Sequence, residues 1–465
     1  MNEIPQSLFD VFALALPRGH GFGDRPPVGA WQSDDGRACG IVTRDVKNGI
    51  FGILVMRRRV DDVWTVTADE QEIPKLNDAR ARAKLLLKED VPPEPMPVNT
   101  APRPALYDLK GRTPSDLFRL FLQPSHHIAA WMLNQMYLAL PNPDDNWAGD
   151  CQTCNTHTRL WEAQLLASFR EQGLFVTQPH PSPDFQIENR LGGSAWVEAV
   201  TANPSVPYNH VNSKPSRPPE DTKERLLGSA AVRFAKTLGN KLQRCYNQLP
   251  HVEHKPFVIA LADFHAPSSM VWSREALISY LYGMFTEVLE VSGRRIASVT
   301  SASHLLGPTR FPAGLFRNNK HSELSAVIFS NACSIAKFNR VGVSAGAITK
   351  GLRYIRFGKF FDRTPGTLDG VPFCIDINSA DYRALWPQGY EPWAAELEVF
   401  HNPYARYPLP RELVPEATHW FEFDREIICE AYYETSILWS KTFIQNDTDE
   451  MPKLDDFLLR SDTET

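Results

Sequence analysis

Three acidic residues lie in stretches of the sequence that are otherwise apolar, where burying a carboxylate costs free energy unless it is paired or bound to a metal ion. Glu162 shares one face of a predicted helix over residues 159–172 with apolar residues that follow it by three, four and seven positions. Asp184 precedes an alternating run typical of a strand, and Glu198 lies in a strand made otherwise of Trp, Val and Ala. Each acid alone is explained as readily by a position at the edge of a helix or sheet. Together, acids on neighbouring strands could hold a hard cation such as Mg²⁺ through oxygen ligands.

The elements that must position these acids form a continuous series. Hydrophobic periodicity predicts the helix over 159–172, strands at 185–187 and 195–201, a long helix over 220–249 and a strand at 257–262. A run rich in Asn and Gly separates the first two strands and is typical of a turn. The two acidic strands are therefore expected to be adjacent in one sheet.

The three acids and this order of elements resemble the PD-(D/E)xK nuclease superfamily, over about residues 158–264. That superfamily has a core of a helix, three strands, a helix and a fourth strand. The resemblance implies that Glu162 is the helix acid, Asp184 the motif aspartate and Glu198 the strand acid. It also implies Mg²⁺ (or Mn²⁺) as the cofactor and nucleic acid as the partner, with DNA favoured. Many members of the superfamily cut duplexes as dimers, so a homodimer is one option, and the sequence leaves the oligomeric state open.

The sequence departs from the superfamily pattern at Val200. The superfamily places a lysine there, on the same face as Glu198, and a valine cannot hold a water or offset charge. Some members take this lysine from the following helix instead. Leu227, Phe234 and Lys241 are spaced by seven, which places Lys241 on the apolar stripe of the predicted helix. We therefore expect Lys241 to be the relocated catalytic lysine.

Polar residues around the predicted helix over 220–249 are candidates for substrate contacts, although some of them would only keep the helix soluble. The candidates are Lys214, Arg233, Lys236, Gln243 and Arg244. Lys236 is also the second choice for the catalytic lysine. Gln243 and Tyr246 are similar to the Gln/Tyr pattern of RecB-like members of the superfamily.

A second metal hypothesis concerns zinc. Cys151, Cys154 and His157 have a tight spacing, and His126 or His127 could supply a fourth ligand. A zinc ribbon would have a second pair of cysteines, which is not found beside these residues. Cys151 and Cys154 are therefore more simply explained as ordinary thiols in a loop. The odd number of cysteines, seven, argues against a disulfide framework and fits a reducing cytoplasm.

The length of the chain predicts several domains, since 465 residues exceed one ordinary core. The composition is that of a globular protein, and we find neither a signal peptide nor an apolar run long enough to span a membrane. We expect an α/β protein with a restriction-endonuclease-like αβββαβ core, and a helix over 274–291 beyond it. The predicted regions are a small β-rich domain (1–90), a Pro-rich linker (91–104), a helical connector (105–157), the nuclease-like core (158–265) and a mixed α/β region (266–465).

Charge is distributed unevenly although the net charge is only −6. Residues 294–363 contain twelve Lys or Arg against two acids, whereas residues 381–465 contain eighteen acids against seven Lys or Arg. The basic stretch could contact phosphates, or it could pair with the acidic stretch inside one domain. The sequence favours neither.

The resemblance predicts a Mg²⁺-dependent nuclease, with restriction or anti-phage defence as a role suggested by fold analogy alone. One alternative is a degenerate nucleic-acid-binding or scaffold protein that kept the fold and lost the lysine. Another is a zinc-stabilised interaction protein.

Overall fold

The chain has a mixed α/β fold with several sheets. The computed structural model describes residues 1–88, 91–210, 212–292, 294–364, 367, 370–424 and 426–454. The N-terminal region contains β1 (Asn2–Ile4), α1 (Gln6–Ala13), β2 (Pro27–Gln32), β3 (Ala38–Arg44), β4 (Phe51–Arg58), β5 (Trp64–Ile73) and α2 (Leu76–Leu86). The middle region contains α3 (Asp116–Phe121), α4 (His127–Ala139), α5 (Trp147–Gln152), α6 (Thr156–Glu171), β6 (Phe175–Thr177), β7 (Phe185–Glu188), β8 (Ser194–Ala202), α7 (Thr222–Leu227), α8 (Ser229–Leu242) and β9 (Phe257–Asp263). The C-terminal region contains α9 (Arg274–Tyr282), β10 (Met284–Val291), β11 (Arg294–Ser301), β12 (Ala326–Ser330), α10 (Ile335–Ser344), β13 (Leu352–Phe360), β14 (Val371–Asp376), α11 (Ala380–Ala384), β15 (Leu397–His401), β16 (Thr418–Phe423), β17 (Glu426–Glu430) and β18 (Ile437–Asn446).

The N-terminal region is built on a five-stranded antiparallel sheet, β1-β2-β3-β4-β5. Successive side chains of its strands point to opposite faces of the sheet and pack into two apolar clusters. One cluster includes residues of α1, and the other includes residues of α2. Residues 91–104 contain neither helix nor strand, as their prolines predict. Residues 89 and 90, at the predicted domain boundary, lie outside the described residues. The division of the chain into domains therefore stays a prediction.

The central sheet has eight strands in the order β17-β16-β15-β12-β9-β8-β7-β6. Strands β6, β7 and β8 form an antiparallel meander, whereas β8, β9 and β12 run parallel. Helix α6 packs on one face of this sheet and α8 on the other, each through its own apolar cluster. From α6 to β9 the order is a helix, three strands, two helices and a strand, and these elements position the predicted acids.

Two predicted helices differ from the structure. The helix predicted over 220–249 is two helices, α7 and α8, which meet at Gly228 because its backbone (φ −84°, ψ −137°) is not helical. The helix predicted over 274–291 ends at Tyr282, where Gly283 adopts a left-handed conformation with φ +64°. The following residues form β10, which pairs with β11 as a separate two-stranded ribbon. None of the helices in the described ranges is long and apolar enough to cross a membrane.

Basic and acidic residues of the C-terminal region meet in a buried ionic cluster. Glu391 accepts from Lys337 Nζ at 2.8 Å and Arg340 Nε at 3.0 Å, and Glu396 accepts from Arg356 at 2.6 Å. All five side chains are buried. For these three cations, the structure therefore favours pairing with the acidic stretch over contact with phosphate.

Replacing Glu391 with Gln is expected to lower the free energy of unfolding by about 3–5 kcal/mol, because it leaves buried cations without their partner. Burial opposes ionisation of Glu391, but Arg340, Lys337 and Arg356 outweigh it and hold the pKa of this carboxyl well below its usual range. This contribution is present at neutral pH and is lost as the pH falls below about 4. Denaturant unfolding should show a difference in the free energy of unfolding between wild type and variant that is smaller at pH 3 than at pH 7. Glu426→Gln, at an exposed position, is the control and should not change stability. The same difference in the free energy of unfolding at both pH values would contradict a stabilising role for the charge of Glu391.

Candidate active site

Asp184 and Glu198 lie opposite each other on neighbouring strands. The antiparallel register pairs Phe185 with Val197, so Asp184, just before β7, comes level with Glu198 in β8. Asp184 Oδ2 accepts a hydrogen bond from the backbone N–H of Ala199 at 2.7 Å. This bond holds one carboxylate beside the strand that carries the other, as the sequence predicts.

Glu198 is the centre of a polar cluster at this position. It is 4% exposed. Its Oε1 accepts a hydrogen bond from Tyr246 Oη at 2.6 Å and is in direct contact with Lys241 Nζ. Its Oε2 has no hydrogen-bond partner within the described ranges. One oxygen of this carboxylate is therefore held by the protein, and the other is left as a potential ligand.

Helix α8 delivers Lys241 to the acids. The helix packs through Phe234 onto the face of β8 that carries Trp196 and Val200, and Lys241 lies in its last turn. The spacing of seven residues thus predicts the correct face. Lys236 is not part of this arrangement, because it is exposed and its Nζ lies 5.9 Å from the centroid of the Phe311 ring.

The electrostatics of the site reflect crowded negative charge. Burial, and then the neighbouring carboxylates Glu198 and Glu162, raise the pKa of Asp184 well above its usual range, against the opposing effects of the Ala199 N–H and Lys241. Burial and the hydrogen bond to Glu198 also raise the pKa of Tyr246, so its hydroxyl stays protonated and donates. A cation between Asp184 and Glu198 would relieve this repulsion.

Glu162 is close enough to affect Asp184, but its carboxyl is already engaged. Its Oε2 accepts from Trp147 Nε1 at 2.7 Å, and Arg159 donates to both of its oxygens at 3.0 and 3.1 Å. Arg159 also bonds Asp144 and Asp150 at 2.8 and 2.9 Å. Only the Arg159–Glu162 pair, three positions apart on one helix, has a signal in the sequence. Trp147, Asp144 and Asp150 come from another helix and a loop, and no local pattern brings them to this pair.

Asp184 and Glu198 are the two residues of this site that could hold a metal ion. No group of three or more His, Cys, Asp or Glu side chains in the described residues is arranged to hold a metal ion. Asp184 and the unpartnered Oε2 of Glu198 nevertheless provide the oxygen donors that Mg²⁺ prefers, and Mg²⁺ commonly keeps several waters alongside one or two carboxylates. The two strand acids therefore fit the ion, and Glu162 does not supply a free oxygen.

The structure separates the predicted substrate-binding residues. Arg244 is exposed beside the site and lies 3.4 Å from Tyr246 Oη, and Gln243 is exposed next to it. Arg233 and Lys236 line a different cavity of about 300 Å³. Lys214 is exposed in the segment between β8 and α7. Of the five, Arg244 has the clearest connection to the acids.

Two histidines that the sequence does not single out support the segment before Asp184. His251 Nε2 lies 2.9 Å from the backbone oxygen of Ser182. The His251 ring stacks on His180, with centroids 3.8 Å apart, and meets Trp196 edge-on at 4.8 Å. No motif marks these residues, since His251 is 69 positions from Ser182 in the sequence and the two meet only in the folded chain.

The predicted zinc ligands lie in different environments. Cys151 is fully buried, and burial raises the pKa of its thiol. Cys154 is exposed. His157 packs on Phe264, and burial, together with His210, lowers its pKa to about 3. In the described part of the chain these residues form no metal-holding group, so the zinc hypothesis gains no support.

Comparisons with protein-family models, curated proteins and solved structures find no match to this chain. Its function is therefore inferred from the geometry of the site.

Proposed function

We propose that this protein is a Mg²⁺-dependent nuclease that hydrolyses phosphodiester bonds, with DNA favoured as the substrate, on a core of the PD-(D/E)xK type. The observation that carries the proposal is the contact of Lys241 with Glu198, opposite Asp184. A lysine beside two strand acids is the set of groups that the superfamily uses. Here the lysine comes from a helix, and Val200 occupies the usual position in the strand.

Asp184 and Glu198 are the proposed ligands of Mg²⁺, through Asp184 and the unpartnered Oε2 of Glu198. When bound, the ion supplies an activated water and stabilises negative charge on the scissile phosphate. Lys241, held beside Glu198, donates to the attacking water or to the phosphate oxygen that gains charge. Tyr246 fixes Glu198 Oε1, so that the metal-facing oxygen keeps its orientation.

Glu162 acts at a distance in this proposal. Arg159 and Trp147 hold its carboxyl, and its charge contributes to the raised pKa of Asp184. It therefore positions helix α6 and adds to the attraction of a cation, without being a ligand. Arg244, exposed beside Tyr246, is the proposed contact to the nucleic-acid backbone.

One observation favours a non-catalytic alternative. Lys241 and Glu198 form a close ion pair, which neutralises half of the charge available to a metal ion. A protein that kept this pair without binding metal would bind nucleic acid and leave it intact. Restriction or anti-phage defence, like homodimer formation, stays a prediction from analogy.

Cleavage assays separate these possibilities. Supercoiled plasmid, linear duplex and single strands would be incubated with the wild-type protein in Mg²⁺, Mn²⁺ or EDTA. Cutting that requires a divalent ion supports the nuclease. Salt-sensitive binding without cutting, under all metal conditions, would favour the non-catalytic alternative.

Mg²⁺ is expected to stabilise the folded wild-type protein and not the Asp184→Asn variant. An ion that binds only the native state adds about 2.7 kcal/mol of stability at a concentration 100-fold above its Kd. Thermal unfolding with and without Mg²⁺ measures this effect without any substrate. EDTA should reverse it, and an equal shift in both proteins would place the ion elsewhere.

A further inference from the structure

The ribbon of β10 and β11 is a sheet of its own. Its two strands pair over eight residues, and within the described ranges no third strand joins them. The contacts that anchor the ribbon lie at its base, where Met284 and Phe285 are buried and Glu287 Oε1 lies 3.7 Å from Lys223 Nζ of α7. A two-stranded hairpin with little other support is marginally stable in water, since independent stability usually needs three or more strands.

Aliphatic side chains occupy both faces of the outer part of the ribbon. Directly opposed residues of an antiparallel pair share a face, so Leu289 and Ile296 lie on one face, whereas Val288 and Ala297 lie on the other. Five large aliphatic side chains of the ribbon are 46–65% exposed: Val288, Leu289, Val291, Ile296 and Val299. Scattered single residues of this kind are normal on a protein surface, but five in one short hairpin indicate a surface that meets a partner.

The two strands of the ribbon differ in charge. Strand β10 carries Glu287 and Glu290, and charged side chains on an edge strand commonly prevent another strand from pairing with it. Strand β11 has its only charged residues at its first two positions, and the six residues from Ile296 to Ser301 are uncharged and include several strand formers. In the described part of the chain, the backbone of these six residues bonds no segment other than β10. The outer edge of β11 is therefore open to a further strand.

We propose that β11 pairs with β11 of a second copy of this chain, antiparallel and about a two-fold axis at Ser298. Ile296 then lies opposite Thr300 of the second copy, and Ala297 lies opposite Val299. The antiparallel direction places the charged first two positions of the two strands at opposite ends of the pair, so the copies do not repel each other. A parallel pairing would bring these charges together.

The resulting sheet has four strands, with the two copies of β11 at its centre. On each face, aliphatic side chains of the two copies become neighbours across the shared edge. The outer edges of this sheet are the two β10 strands, which carry Glu287 and Glu290. Because a two-fold interface uses the same surface on both copies, the assembly closes after two chains. A second copy thus supplies a partner for the uncharged edge and creates no new open edge, whether or not the protein is a nuclease.

Sedimentation velocity of the full chain at several protein concentrations tests the proposal without any substrate. Wild type is expected to form a species of twice the mass of one chain, and its fraction should rise with concentration. The double variant Ala297→Lys/Val299→Lys places lysines opposite each other in the paired strands and should weaken the dimer about 10-fold or more. Both positions are exposed, so the fold of the single chain should be unchanged.

Thr286→Lys/Val288→Lys is the matched control. It adds the same charges at exposed positions of β10 that lie directly opposite Val299 and Ala297, on the same face of the ribbon. It should dimerise as wild type does. The proposal is overturned by a wild type that stays monomeric at every concentration, by a mass that grows beyond two chains, or by unchanged dimerisation of a folded Ala297→Lys/Val299→Lys variant.

Oxidative cross-linking locates the interface by a second route, which remains valid if the lysine variant fails to fold. Ser298→Cys places the two introduced thiols beside the two-fold axis. We expect more cross-linked dimer than the exposed cysteines of the wild-type chain give, namely Cys154, Cys245 and Cys429. No increase over wild type would overturn the pairing about Ser298.

Discussion

Asp184→Asn is expected to abolish metal-dependent cleavage, with a loss of about 10³-fold or more in rate. The substitution removes one of the two anionic oxygens proposed to hold Mg²⁺, and the ion supplies several kcal/mol of transition-state stabilisation. A loss of about 4 kcal/mol corresponds to about 10³-fold. Asparagine can still accept the hydrogen bond from the Ala199 N–H. The measurement is the rate of plasmid nicking in saturating Mg²⁺.

The fold of this variant should be intact, because burial and the charges of Glu198 and Glu162 disfavour the ionised form of Asp184. Removing a charge that is repelled by its surroundings does not destabilise the metal-free protein. Asp145→Asn is the matched control, since it makes the same change at an exposed carboxylate outside the network of Arg159 and Glu162. Cleavage by Asp184→Asn at the wild-type rate would remove Asp184 from the site.

The second large effect is expected from Lys241→Met, with cleavage about 10²–10³-fold slower and DNA binding largely retained. Preorganised donors aimed at developing charge contribute about this much in other enzymes. Methionine preserves most of the aliphatic length of the side chain and removes the ammonium group beside Glu198. Single-turnover cleavage separates the chemical step from binding, which is measured in parallel in EDTA.

Lys236→Met is the control for this prediction, because Lys236 lies on the same helix and is exposed away from the acids. It should cleave at close to the wild-type rate. Equal losses in both variants would indicate a general effect of helix charge on DNA binding. Full activity in Lys241→Met would show that Lys241 has no role in cleavage and only pairs with Glu198 in the folded protein.

Much of the candidate site could be predicted from the sequence because its members lie on regular elements. The period of two places Glu198 on the same face of β8 as Trp196 and Val200. The seven-residue spacing from Leu227 through Phe234 places Lys241 on the apolar face of α8, although Gly228 divides the predicted helix. Local periodicity is sufficient for both inferences.

The helix predicted over 274–291 was wrong beyond Tyr282, because the local composition there is ambiguous and the partner strand is set in space. Residues 284–291 mix helix formers with the strand formers Phe285, Thr286, Val288 and Val291, and the left-handed Gly283 ends the helix where β11 supplies a strand partner. The buried stripe of α6 predicts the position of Glu162, but not its partners Arg159 and Trp147, which hold its carboxyl.

The sequence by itself determined the mixed α/β class, the succession of α6, β7, β8, a helical stretch and β9, and the faces that carry Glu198 and Lys241. It did not predict the short strand β6 or the break between α7 and α8. These features depend on residue spacing, which a strand or helix converts directly into direction. The tertiary structure decided which charges meet. Lys241 faces Glu198 across 43 positions of sequence, and the cations of α10 and β13 donate to acids 40 to 56 positions away. Such pairings depend on how sheets and helices pack, because the free energy of a buried charge is set by its neighbours in space rather than in sequence.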